Sequence, residues 1–233
     1  MLIAIPRTAS PSCCGTREFS RRHGMMRIGN GLGLGALTLC ALLISTPSSA
    51  HHAIGGATPS NGWDGLVSGL AHPVIGLDHL AFVVAAGLIA ALHRRGVFIP
   101  IAFVAASLMG TGVHLLALDL PASQPMISLS VLLMGALLVA RRRSLPIVIV
   151  LASAAGIFHG YAYGESIVGA EMTPLSAYLL GLALVQLVIG LSTRSLFHIA
   201  ARRTPDIEIR TLRWAGLVLC VVGFAYLSAP WLG

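Results

Sequence analysis

Long apolar runs are the feature that most constrains what this chain can fold into. A helix needs about 20 mostly apolar residues to cross a bilayer. Only 10% of the residues are charged, against about 25% in a typical soluble domain, so little charge is left to coat a water-facing surface. The pattern predicts an all-α polytopic membrane protein with six transmembrane helices, roughly at 65–92, 97–118, 126–140, 145–163, 174–197 and 211–230.

The first 50 residues predict a leader that ends in a cleavable signal peptide. Arg27 precedes an apolar stretch from Ile28 to Ile44, and Ser48, Ser49 and Ala50 form a small-residue cleavage site. The alternative interpretation is an uncleaved first membrane helix.

Two further expectations concern this N-terminal region. Met25 or Met26 is a candidate for the true start of the chain. Cleavage after residue 50 would leave residues 51–233 as the six-helix transmembrane domain, with His51 and His52 at the new N-terminus. A free amine beside two imidazoles would then offer a nitrogen-rich site for Ni²⁺ or Cu²⁺.

Arginines in alternate links predict the orientation of the helices. The links at 93–96, 141–143 and 194–210 carry arginines, whereas those at 51–64, 119–125 and 164–173 carry none. Arginine-rich links stay on the cytoplasmic side, so both termini of the mature chain are expected in the periplasm of a bacterium, with the helices in its inner membrane.

Several function classes are excluded by the sequence. The net charge is +7, but there is no lysine and the fifteen arginines lie in the leader and between apolar runs, which does not form a nucleic-acid-binding face. There is no GxxxxGK[ST] phosphate loop and no HExxH zinc motif. The four cysteines form neither a disulfide framework nor a zinc site, and we assign no catalytic residues.

The segment "AHPVIGLDHLAFVVAAGL" places His72, Asp78 and His79 within an apolar run. A charge at mid-bilayer costs about 2.5–3.5 kcal/mol, so such residues usually face a cavity or a partner. On a straight helix the two histidines would be about 10.5 Å apart, too far to share an ion. Either the helix breaks near Pro73, which disfavours helical geometry at the residue before it, or each histidine joins ligands from other helices.

Other polar residues are expected on the outer side of the membrane. His114 and His159 fall near the outer ends of their helices, and Glu165 follows His159. Acidic residues in the outer links would concentrate cations, although loops also need polar residues in any case. These acidic residues are Asp64, Asp119, Glu165 and Glu171.

Two motifs give the chain a resemblance to a known family. "HPVIGLDH" (72–79) matches the HPxxGxDH signature of HupE/UreJ membrane proteins, and "HGYAYGE" (159–165) is similar to the second motif, HGxAHGxE. The resemblance covers roughly residues 51–230. It implies a secondary nickel permease associated with hydrogenase and urease systems, and some members are assigned cobalt.

The resemblance also implies a set of site residues. His72, Asp78 and His79 match the first motif, and His159 and Glu165 are taken from the second. Tyr163 stands where the second motif usually has histidine, which replaces a nitrogen donor by a phenol, a poor Ni²⁺ ligand at neutral pH.

The sequence-based hypothesis is therefore an importer of Ni²⁺, or of Co²⁺, in which these residues form the metal site and His51 and His52 collect the ion. The ion is cargo, and no permanently bound cofactor is expected. The expected partners are the metal ion, membrane lipid and, functionally, maturation proteins of hydrogenase or urease. The alternatives are a non-transporting accessory protein for nickel-enzyme assembly and a haem-binding membrane subunit.

Overall fold

The computed structural model describes residues 58–140, 144–203 and 205–232. The expected leader, His51, His52 and the arginine link at 141–143 lie outside the described residues. Within them the chain is all-α, as predicted, with seven helices and a short 3₁₀ turn at Glu165–Ile167. The helices are α1 (Gly62–Ile75), α2 (Leu77–Ala91), α3 (Phe98–Leu115), α4 (Ser123–Ala140), α5 (Leu145–Gly164), α6 (Met172–Arg203) and α7 (Pro205–Leu232).

Five of these helices, α3 to α7, are each long and apolar enough to cross a membrane. Helices α1 and α2 pass the same test only as a pair, and they are bent by 78° at the break between them. The described residues therefore provide five spans, or six when the bent pair counts as one. This confirms a multi-pass architecture, while the orientation of the termini stays a prediction.

The first span differs from a straight helix over 65–92 because it breaks at Gly76. The Gly76 N–H donates to the His72 carbonyl and closes α1, and its ψ of 101° takes the chain out of the helix. Pro73, within the last turn of α1, has no N–H to donate. A Cβ at Gly76 would lie 2.6 Å from Cδ2 of His79, so only glycine allows this histidine to approach the break so closely.

Glycines allow three pairs of helices to approach at backbone contact. A Cβ at Gly160 of α5 would overlap the Ser107 carbonyl of α3, and one at Gly69 of α1 would overlap the Tyr178 carbonyl of α6. Gly135 of α4 and Gly216 of α7 face each other in the same way. Membrane helices commonly use small residues for such packing.

Helix α2 lies at the centre of these pairs. It packs against α3, α4, α6 and α7, and most of its side chains are buried, including Phe82 and Ile89. Its N-terminal turn, which carries Asp78 and His79, is therefore held inside the bundle rather than at the lipid surface.

Gly160→Ala should destabilise the fold, because the added methyl group meets the Ser107 carbonyl of α3. We expect a loss of about 1–3 kcal/mol in the free energy of unfolding, as for other overpacked sites. The measurement is unfolding of the purified protein by SDS in mixed micelles. Gly112→Ala is the matched control, since nothing lies within 4 Å of its Cβ position; equal effects of both substitutions would contradict the packing described.

Candidate functional site

The break between α1 and α2 brings two histidines of one span together. His72 lies near the end of α1 and His79 in the first turn of α2. Their ring centroids are 6.1 Å apart, and both side chains are buried, at 2% and 0% exposure. The broken helix thus provides the closeness that a straight helix would not allow.

His159 of α5 joins these two histidines from another helix. Its Nδ1 atom is 2.7 Å from Nδ1 of His79, and its side chain is fully buried. The rings of Phe82 and Phe103 pack against it at centroid distances of 4.7 and 5.5 Å. The structure therefore has the broken helix considered from the sequence, and it also places a histidine of another helix in contact with His79. The three rings of His72, His79 and His159 are called the histidine cluster below.

Asp78 lies beside the cluster and is held at the start of α2. Its Oδ1 atom accepts a hydrogen bond from the His79 backbone N–H at 2.9 Å, and its Oδ2 atom accepts one from Gln124 Nε2 of α4 at 3.2 Å. A carboxylate in the first turn of a helix is favoured by the helix dipole. Asp78 is 2% exposed, whereas Gln124 is exposed, so Gln124 links the carboxylate to the surface.

Tyr163 of α5 lies between the two motif histidines of the first span. Its ring centroid is 4.5 Å from that of His79 and 5.1 Å from that of His72. Its hydroxyl group is buried, and among the described residues it has no hydrogen-bond partner. Buried polar groups are seldom left in this state, so Tyr163 places next to the histidine cluster a hydroxyl group that can hydrogen-bond to a ligand.

His72 has hydroxyl partners that the sequence analysis missed. Its Nδ1 atom is 3.0 Å from Ser166 Oγ and 3.2 Å from Tyr178 Oη. These contacts join residues that are 94 and 106 positions apart. Neither residue could be found from local spacing, nor could Gln124 beside Asp78 or Ser130 of α4, whose Oγ atom is 3.0 Å from Nε2 of His159.

The remaining predicted residues lie elsewhere. Glu165 is exposed at the start of the 3₁₀ turn, whereas the next residue, Ser166, is buried against His72. HGxAHGxE counted from His159 reaches its glutamate at position 166, where this chain has serine. His114 is half-buried, and its ring packs against Tyr161 at 4.5 Å.

Chemically, the arrangement offers imidazole nitrogens beside one carboxylate in the buried interior of the bundle. These donors suit Ni²⁺ and Co²⁺ among the divalent metals. Among the described residues, no group of three or more His, Cys, Asp or Glu side chains is already arranged to coordinate a metal ion.

Comparison with known proteins agrees with the two motifs. The family model described as HupE / UreJ protein matches residues 38–226. Protein HupE of Rhizobium leguminosarum bv. viciae is 33% identical over 164 residues, which is 68% of this chain and 82% of that relative. No solved structure matches the chain significantly.

Substitution of the two buried tyrosines should have opposite effects on stability. Tyr178→Phe removes the hydroxyl that donates to the Tyr163 carbonyl at 2.8 Å. Because Ser166 still donates to that carbonyl, we expect a loss of about 0.5–1.5 kcal/mol, the net contribution of one hydrogen bond. Tyr163→Phe removes a hydroxyl without a described partner, so stability should stay equal or rise. Unfolding by SDS measures both; a larger loss for Tyr163→Phe than for Tyr178→Phe would contradict the hydrogen bonding described.

Proposed function

The chain belongs to the HupE / UreJ family, and from this membership we propose that it is a permease that imports a divalent transition-metal ion across the bacterial inner membrane. Ni²⁺ is the principal cargo and Co²⁺ the second. The ion is a substrate that passes through the site, and no resident cofactor or catalytic residue is part of the proposal.

One observation supports this proposal most strongly. His72 and His79 lie close together on either side of a break in a membrane span, with Asp78 beside them, and all three are buried. Ionisable residues within a membrane mark ion pathways in most proteins that have them. Discontinuous helices are a recurring way to build such sites in transporters. Imidazole suits Ni²⁺, and the carboxylate offsets the positive charge where the dielectric constant is low.

The proposed path follows the orientation given by the arginine-bearing links. Exposed acids at Asp119, Glu165 and Glu171 attract the ion on the periplasmic side, and His51 and His52 assist if the signal peptide is cleaved. The ion then passes Gln124 to reach Asp78 and the histidine cluster, where His72, Asp78 and His79 bind it with the help of His159.

On the side of the cluster that the arginine-bearing links predict to be cytoplasmic, the rings of Phe82 and Phe103 pack together at a centroid distance of 4.7 Å, and the Phe82 ring packs against His159. Both side chains are 1% exposed. In the proposed path this pair closes the inner side of the site, so release to the cytoplasm requires the two rings to separate.

The cargo connects the protein to nickel enzymes. The family links this chain to the nickel metabolism of hydrogenase and urease, and we propose that the imported ion supplies the maturation of such an enzyme. The partners are then the ion, the surrounding lipid and, functionally, the maturation proteins.

Uptake of radioactive Ni²⁺ into proteoliposomes that contain only the purified chain tests the proposal. We expect saturable uptake that Co²⁺ competes with more strongly than Zn²⁺ does. Asp78→Asn and His79→Ala should lower uptake by at least about 100-fold, since loss of even an outer partner of a metal ligand costs about 10–100-fold. His198→Ala, in the inner half of α6, is the control and should change little.

Two outcomes would overturn parts of this account. Normal uptake by both Asp78→Asn and His79→Ala would show that the site lies elsewhere. Absence of uptake by wild-type protein of verified fold and orientation would favour the accessory role in nickel-enzyme assembly.

Tyr163→His should strengthen the site. The substitution replaces the phenol by an imidazole. The centroid of the tyrosine ring lies 4.5 Å from that of His79 and 5.1 Å from that of His72. We expect Ni²⁺ affinity to rise by about tenfold or more, because imidazole is a better Ni²⁺ ligand than neutral phenol. Titration calorimetry with Ni²⁺ measures the change, with Tyr163→Phe as the control. Equal affinities of the two variants would mean that this position does not reach the ion.

A further inference from the structure

A serine of α4 fixes the proton of one histidine in the cluster. Ser130 Oγ is 2.7 Å from the Ile127 carbonyl and 3.0 Å from Nε2 of His159. A hydroxyl group has one proton to donate, and a carbonyl oxygen only accepts. The Ser130 proton therefore points to the carbonyl, and Ser130 Oγ accepts a hydrogen bond from Nε2–H of His159.

The position of this proton determines the next one. A neutral imidazole has one N–H and one acceptor nitrogen, so Nδ1 of His159 carries a lone pair. It lies 2.7 Å from Nδ1 of His79, which must therefore donate. His79 thus has its proton on Nδ1 and its lone pair on Nε2.

A second set of hydroxyl groups leads to the same result for His72. Ser166 Oγ and Tyr178 Oη lie 3.0 and 3.2 Å from its Nδ1 atom. The same two oxygens are 3.1 and 2.8 Å from the Tyr163 carbonyl. That carbonyl has two lone pairs and accepts both hydroxyl protons, so both oxygens accept from Nδ1–H of His72.

We propose that Ser130, Ser166 and Tyr178 are positioning residues, which hold His72 and His79 in the same tautomer, with the proton on Nδ1, so that both present Nε2 to the transported ion. His159 then orients His79 and does not bind the ion in this conformation. The inference rests on the proposed function, since it names the atoms that meet the cargo. Histidines that bind metals usually donate their second ring N–H to a fixed acceptor, which orients the ring and sets the tautomer.

One of these acceptors lies at a motif position. Ser166 stands where HGxAHGxE has its glutamate, and in this chain its hydroxyl and that of Tyr178 lie beside Nδ1 of His72. The two hydroxyl oxygens lie 3.0 Å from each other. A hydroxyl at position 166 is then required, whereas the identity of the residue that carries it is less important.

Nitrogen-15 NMR of the full-length protein, with labelled histidine and no metal, tests the tautomers directly. We expect protonated Nδ1 in His72 and His79 and protonated Nε2 in His159, assigned by comparison with single histidine variants. Ser130→Ala should release His159 and His79 into a tautomer mixture, while Ser130→Thr should retain the wild-type spectrum. A proton on Nε2 of His72 or His79 in the wild-type protein would overturn the proposal.

Calorimetric titration with Ni²⁺ alone tests the consequence for binding. Ser130→Ala, Ser166→Ala and Tyr178→Phe should each weaken Ni²⁺ affinity by about 10–100-fold, and Ser166→Thr should restore it. Ser153→Ala is the matched control, because Ser153 Oγ also donates to a carbonyl of its own helix, that of Ile149, and makes no hydrogen bond to a histidine of the described residues. Wild-type affinity in all three variants would overturn the positioning role.

Failure of wild-type protein to bind Ni²⁺ would instead refute the proposed function, and the NMR spectrum would still decide the tautomers.

Discussion

The break at Gly76 is the constraint on which the rest of the structure depends. It bends the first span by 78° and places the end of α1 and the start of α2 at one point inside the bundle. Without it, His72 and His79 would lie on separate turns of a straight helix. With it, one short stretch of sequence provides two imidazoles and a carboxylate, and the other helices complete the surroundings.

Burial of polar groups in a membrane makes this arrangement expensive unless each group finds a partner. The partners come from three helices and from the 3₁₀ turn: Gln124 binds Asp78, His159 binds His79, and Ser166 and Tyr178 bind His72. The glycine contacts between α3 and α5 and between α1 and α6 hold these helices at the required separation. Packing and chemistry are therefore linked, because the same close contacts that join the helices also position the hydroxyl groups.

The sequence predicted the parts of the structure that local chemistry determines. Apolar runs predicted the all-α fold and the spans, and the polar residues of "HPVIGLDH" predicted either a break in the first span or ligands from other helices. The structure has the break. It could not show that Ser166 and Tyr178 meet His72, because those contacts join distant helices whose mutual rotation no local pattern records. The sequence also suggested Glu165 as a site residue. Glu165 is exposed, whereas the turn after α5 directs the next residue, Ser166, into the interior.

X-ray absorption spectroscopy of the Ni²⁺-loaded, purified protein tests the central claim most directly, because it counts imidazole ligands around the ion. The account predicts a coordination shell that contains imidazole nitrogens, which decrease in His72→Ala and in His79→Ala and stay unchanged in His198→Ala. A shell of oxygen ligands alone, or one that neither His72→Ala nor His79→Ala alters, would contradict it.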